Sequence, residues 1–238
     1  KLSLVIREVL KELCRLVPFL LSTCVYFIFG LQPSCPLWLQ AFVKCVPLLF
    51  LCVYTLSHGV KAQAHGSALK LLAGLLSSAV GDVLRTTSGQ LYCIDGEAMF
   101  GLAYLFYIWM FGLKPLNLLA ASFLVAVGTL YLLFLSRCLW DEKPFQWLVY
   151  VYSILIGTMC WRASAGMFFT EYWSWVKLFA SVGGLLFLVS DFTYAVDSFC
   201  FPVHSSGMIA AAYFAAQMFI TVSVVNSADK ALKNSKQK

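Results

Sequence analysis

Charge is what this chain has least of. Only 12% of its 238 residues are Asp, Glu, Lys or Arg, against 61% hydrophobic, and its mean hydropathy is +0.83. A water-soluble domain carries about twice that charged fraction, so a soluble globular surface is excluded. Histidine is scarce too, at three residues, and no HExxH spacing occurs. The chain also lacks GxSxG, a Gly-rich phosphate loop, a dinucleotide fingerprint and CxxCH. Serine-nucleophile, nucleotide and haem chemistry lose their usual signatures with them. None of the nine cysteines forms a CxxC pair. Cys24, Cys45, Cys52 and Cys160 fall in apolar runs and read as small buried hydrophobes, not as a disulfide scaffold. The net charge of +6 does not indicate nucleic acid, because the basic residues gather at the termini and in short loops.

What is present is a series of apolar runs. Eight spans are predicted, over 16–31, 38–57, 68–85, 97–112, 115–136, 146–162, 174–195 and 206–226. The expected fold is therefore all-α and polytopic, with a membrane domain over 16–226. Several spans are shorter than the ~20 residues a bilayer core prefers, which suits a thin membrane such as that of the endoplasmic reticulum. Residues 1–15 alternate charged and apolar side chains and predict an amphipathic interfacial helix, not a signal peptide. A first residue of Lys1 suggests a missing native start. The lysine-rich segment 227–238 reads as a disordered cytosolic tail touching anionic headgroups.

Counted on alternate sides, thirteen Lys and Arg residues fall on the side of both termini. Arg85, Arg137 and Lys143 fall on the other. The positive-inside rule puts both termini in the cytosol and requires an even number of crossings. The count depends on Gly112–Leu113–Lys114 separating two helices.

A correspondence at a spacing of 109 residues locates the chemistry. GLLSSAVGD (74–82) matches GGLLFLVSD (183–191), and twenty-two residues beyond each aspartate comes a tyrosine, Tyr104 or Tyr213. An offset of four spans keeps helix direction, so two parallel four-helix halves are expected. Asp82 and Asp191 then lie at similar depth towards the non-cytosolic side. Intramembrane aspartate is costly and marks a functional site, although Asp82 near a helix end also has water or Arg85 within reach. Two nearby carboxyls disfavour joint ionisation, which suits one as acid and the other as base.

Tyr104, Tyr213 and Ser78 are placed beside the pair, and Gln217 shares the helix face of Tyr213. Lys44 is read either as a partner for a carboxylate or phosphate or as a snorkelling residue. Arg162 is read as a topological anchor or lipid-phosphate contact. Asp95, Glu97 and His204 fall near a lumenal mouth. His58 and His65, in a cytosolic-side loop, cannot join His204 in one metal site, so no metal or other cofactor is expected.

The blocks VPFLLSTCVYF (17–27), FVKCVPLLFL (42–51), SSAVGDVL (77–84), FGLKPL (111–116), LLFLVSDFTYA (185–195) and AAAYFAAQMFI (210–220) resemble the lysoplasmalogenase, or YhhN-like, family of eight-span membrane hydrolases. The resemblance covers about 17–226. It implies hydrolysis of the vinyl-ether bond of lysoplasmalogens in the endoplasmic reticulum membrane, with lipid as substrate and partner and without a cofactor. It places the family's aspartates on Asp82 and Asp191 as catalytic residues and its tyrosine on Tyr213. Similar relatives carry histidine where this chain has Tyr104. A proton-coupled lipid transporter or scramblase is the rival reading, since it too would hold carboxylates in a polar cavity. Neither a monomer nor a homodimer is excluded.

Overall fold

Inside a bilayer each backbone N–H and C=O must find a partner within the chain, and a helix meets that demand locally. The computed structural model describes residues 2–32, 34–59, 65–89, 93–139, 143–167, 174–203 and 206–235, and they are helical almost throughout. The helices are α1 (Leu2–Val25, extended by a π-helical turn over Tyr26–Gly30), α2 (Leu37–Gly59), α3 (His65–Thr87) and α4 (Ile94–Phe111). They continue with α5 (Leu118–Cys138), α6 (Lys143–Ser164), α7 (Trp175–Phe199) and α8 (Ser206–Ser235). The chain is an all-α polytopic membrane protein.

Among the described residues six helices are long and apolar enough to cross a membrane: α1 with its π turn, α2, α3, α5, α7 and α8. Two of the eight expected spans, on α4 and α6, are helical but are not among the six. The eighteen-residue α4 carries Asp95 and Glu97 in its first turn, and α6 carries Arg162 in its last turn.

The turn between α4 and α5 does separate two helices. Gly112 adopts a φ of +71°, which a side chain would disfavour, and Asn117 caps α5 by accepting from the Ala120 N–H at 3.1 Å. Both terminal segments depart from expectation. α1 runs unbroken from Leu2 through Pro18, so no separate interfacial helix precedes the first span. The tail continues α8 to Ser235 and is not disordered over that stretch. His58 lies in the last turn of α2, not in a loop.

Consecutive helices pack as antiparallel neighbours, α1 on α2, α2 on α3, α3 on α4, α5 on α6, α6 on α7 and α7 on α8. Two further contacts, α4 with α6 and α8 with α2, exchange when each helix number is shifted by four. Glycines permit the tightest of these approaches. A Cβ on Gly74 would stand 2.3 Å from the Tyr107 ring, and one on Gly183 would stand 2.8 Å from Ile220 Cγ1. The expectation of unpaired cysteines fails at one place. Cys138, at the end of α5, is bonded to Cys200, just past α7, a tertiary pairing across 62 residues that local spacing cannot reveal.

Candidate active site

Asp82 ends the apolar part of α3 and Asp191 that of α7, and both are buried, at 1% and 7% exposure. The helix packing brings them onto one cavity of about 300 Å³, also lined by Lys44, Arg85, Tyr194 and Tyr213. A buried charged group is tolerated only when paired and hydrogen-bonded, and each aspartate has its own solution.

Asp82 is charge-paired. Lys44 on α2 places Nζ 2.8 Å from its Oδ1, and the Tyr213 hydroxyl donates to its Oδ2 at 2.7 Å. Lys44 is therefore an ion-pair partner turned inward, not a snorkelling side chain. Asp191 forms no salt bridge among the described residues. Two phenols serve it instead: Tyr104 donates to Oδ2, and Tyr152 donates to the same oxygen at 2.9 Å. Both bonds fall on Oδ2, and among the described residues none falls on Oδ1, which leaves that oxygen for exchange with a ligand.

The tyrosines cross over between the two matched segments. Tyr104 follows Asp82 in sequence but binds Asp191, and Tyr213 follows Asp191 but binds Asp82. Ser190 Oγ donates to the Ile209 carbonyl at 3.0 Å, and Gly81 lies close to Phe100 and Gly96. The small residues preceding the aspartates thus pack α7 on α8 and α3 on α4.

Arg85 does not pair with Asp82. Its Nε and Nη2 form a fork on Glu97, at 2.7 and 2.5 Å, and its guanidinium lies between the rings of Phe100 (3.9 Å) and Tyr194 (4.4 Å). Charge and ring stacking together hold that plane. Arg85 also approaches the Tyr152 hydroxyl at 3.5 Å, which connects the pair to Asp191. Sequence reasoning missed the roles of Arg85, Glu97 and Tyr152. Only an unexplained acid in the first turn of α4 could have signalled the ion pair.

Tyr104, though bonded to Asp191, is not on this cavity's lining, and three further expected site residues lie apart from it. Ser78 and Gln217 are buried one helical turn along from Asp82 and Tyr213, and Gln217 accepts from Tyr107 at 2.7 Å. Arg162 is at the opposite end of the bundle. It donates to the carbonyls of Gly112 (2.7 Å) and Pro115 (3.0 Å) and lines a separate cavity with Lys114 and Lys177. These contacts explain its burial by its tying down of the α4–α5 turn. Asp95 opens α4, and His204 lies outside the described residues. Among the described residues no group of three His, Cys, Asp or Glu side chains is arranged to hold a metal.

The sequence profile of the YhhN family matches residues 39–224, which include both aspartates, Lys44 and both tyrosines. This chain belongs to the YhhN family. It is 41% identical over 216 residues to the bovine protein named lysoplasmalogenase TMEM86A, covering 90% of this chain and 89% of that one. It is 40% identical to its human counterpart over the same shares. Against human lysoplasmalogenase TMEM86B the identity is 34%, over 91% of this chain and 89% of the relative. No solved structure gives a significant match to this YhhN chain.

Proposed function

We propose that this chain is a lysoplasmalogenase. It cleaves the vinyl-ether bond of lysoplasmenyl-ethanolamine and lysoplasmenyl-choline, releasing a fatty aldehyde and the glycerophospho-base. The observation carrying this reading is the pair of buried aspartates on one cavity, one ion-paired to Lys44 and the other, among the described residues, hydrogen-bonded by two phenols. The names of its relatives point to the same reaction.

A vinyl ether is an electron-rich alkene whose hydrolysis begins with protonation at carbon. Asp191, with Oδ1 unengaged, delivers a proton to the carbon distal to the ether oxygen. The alkene π electrons form the new C–H bond and leave an oxocarbenium ion. The Asp82 carboxylate, held by Lys44 and Tyr213, stabilises that cation and takes a proton from the water that adds to it. The hemiacetal then collapses. Its hydroxyl proton returns to Asp191, Asp82 protonates the departing glycerol oxygen, and the carbon–oxygen bond breaks to give aldehyde and alcohol. Both carboxyls regain their starting states. The cycle uses no metal or organic cofactor.

The topology inferred with this activity is eight crossings arranged as four plus four, with both termini in the cytosol and the site facing the lumen of the endoplasmic reticulum. Three observations support it. Most of the helix contacts, α4 with α6 and α8 with α2 among them, exchange under a shift of four, the two tyrosines cross between halves, and Cys138–Cys200 sits at the end poor in Lys and Arg taken together. A disulfide persists in an oxidising compartment.

The test is aldehyde release from lysoplasmenyl-ethanolamine by detergent-purified protein, with and without EDTA. Activity is expected in both conditions. Asp82→Asn and Asp191→Asn are each expected to lose about 10²–10⁴-fold, the usual worth of a positioned acid or base. A transporter makes no aldehyde in detergent, so a silent wild-type protein would overturn the reading.

A further inference from the structure

Asp191 stands at a junction of two cavities. It lines the polar cavity shared with Asp82. With Tyr152, Ser153 and Phe192 it also lines a second, narrow space of about 20 Å³, room for about one water. Ser153 and Phe192 lie in turn on the wall of a third space, an apolar groove of about 210 Å³ between α5, α6 and α7. A continuous set of walls thus leads from the charged cavity, past the carboxyl, into a greasy channel.

The shape of the groove suits a hydrocarbon chain. Its α5 wall runs from Leu132, beside Phe192, to Ala121, about 17 Å at the helical rise of 1.5 Å per residue. That is close to half of a ~30 Å hydrocarbon core. Two glycines face the channel from opposite walls, Gly128 on α5 and Gly157 on α6, and a Cβ on either would meet nothing within 4 Å. They are not there to let helices touch; they leave width. α5 is the least buried of the six long apolar helices, and among the described residues its main packing is on α6 and α7. The Tyr131 ring stacks on Phe192 at 3.7 Å and its hydroxyl donates to the Phe192 carbonyl at 3.2 Å. The pair lines the narrow space between the carboxyl and the groove, and these two side chains would have to part for a chain to pass.

We propose that the α5–α6–α7 groove binds the alkenyl chain of the substrate, with the vinyl ether at Asp191 and the glycerophospho-base in the Lys44 cavity. This inference rests on the lysoplasmalogenase reading and adds a determinant of chain length to it. A lysolipid so placed keeps its headgroup on the side of the aspartates, and its chain runs past the middle of the bundle towards the end where Ala121 stands in the first turn of α5 and Trp161 in the last of α6. The reacting bond then falls where the polar cavity gives way to the apolar one.

The experiment compares hexadecenyl and octenyl lysoplasmenyl-ethanolamine as substrates for wild type, Gly128→Leu and Gly157→Leu. Filling the channel is expected to lower the ratio of kcat/KM for the long chain over the short chain by about tenfold or more. An unchanged ratio in folded variants overturns the groove while leaving the hydrolase reading intact. Wild-type protein that releases aldehyde from neither lipid overturns both. A second measurement does not depend on turnover or on the variants folding. A hexadecenyl lysolipid with a photoreactive diazirine at the chain end is expected to label wild-type α5 near Ala121–Val125 or α6 near Trp161. Labelling confined to α1, α2 or α8 overturns the assignment.

Discussion

The Lys44–Asp82 pair gives a test in which stability and activity move in opposite directions. At 2.8 Å between Nζ and Oδ1, the gross attraction at an effective dielectric of about 20 is ~6 kcal/mol. Most of that offsets the desolvation of two charges, of which Asp82 is only 1% exposed and Lys44 20%. Lys44→Met leaves the carboxylate with the Tyr213 hydroxyl alone, and Asp82→Asn leaves the ammonium facing an amide. Removing one partner of a buried pair costs about 3–5 kcal/mol, which in a chain of this size lowers Tm by ~10 °C. Replacing both removes the imbalance, because a neutral pair of similar volume is often as stable as the ion pair. The double variant Lys44→Met/Asp82→Asn should melt within a few degrees of wild type, yet release no more aldehyde than Asp82→Asn. Thermal melts in detergent and the aldehyde assay on the same preparations make the comparison. Additive destabilisation in the double variant would refute the pairing, and recovered turnover would refute the role given to Asp82.

Two other perturbations are informative. Tyr213→Phe removes a hydrogen bond to a charged group, worth about 1.5–3 kcal/mol, and should lower kcat/KM by roughly tenfold or more. Tyr104→Phe should cost less, since Tyr152 still donates to Asp191; wild-type kinetics for Tyr213→Phe, or the reverse order, would count against the assigned hydrogen bonds. Replacing Cys138 and Cys200 by serine should cost about 2–4 kcal/mol of stability, read as a lower Tm. Maleimide labelling of both residues in unreduced native protein would show the bond to be absent.

Much of this molecule was legible because membranes allow few solutions. Apolar runs had to become helices, and all eight expected spans fall on helices. The aspartates were legible because such residues are rare in apolar sequence, and their recurrence at one spacing tied them together. Lys44 could be read either way, because sequence cannot show whether a long side chain turns inward or outward. The Arg85–Glu97 fork was hidden because its members lie on different helices, twelve residues apart. Arg162 at a span end reads from sequence as a topological anchor or a lipid-phosphate contact; its bonds to the carbonyls of Gly112 and Pro115, fifty and forty-seven residues away, were not legible. The continuation of α1 and α8 into charged terminal segments was missed because composition there argued for separate surface pieces.

The proposed four-plus-four repeat also accounts for how one scaffold supports two different carboxyls. Under the shift of four, α3 corresponds to α7 and α2 to α6. Each aspartate receives a phenol from the opposite half, Tyr213 or Tyr104, and that part is symmetric. The third partner breaks the symmetry: α2 offers Asp82 an ammonium from Lys44, whereas α6 offers Asp191 the hydroxyl of Tyr152. A second break lies three residues past each aspartate, where Arg85 and Tyr194 occupy matching positions. They stack on one another at 4.4 Å, and Arg85 finds its counter-charge in Glu97. Two like carboxyls in like surroundings would have no reason to divide the labour of acid and base. A cation paired directly with one, and hydroxyls bonded to the other with Arg85 one hydroxyl further off and engaged by Glu97, supply that reason, and environment of this kind sets acid against base in paired-carboxyl sites. Exchanging the partners is therefore the decisive perturbation: Tyr152→Phe removes a hydroxyl from the acid side and leaves the ion pair intact. If acid strength at Asp191 limits the reaction, this variant should slow kcat far more than it changes KM, and an effect confined to KM would reverse the assignment.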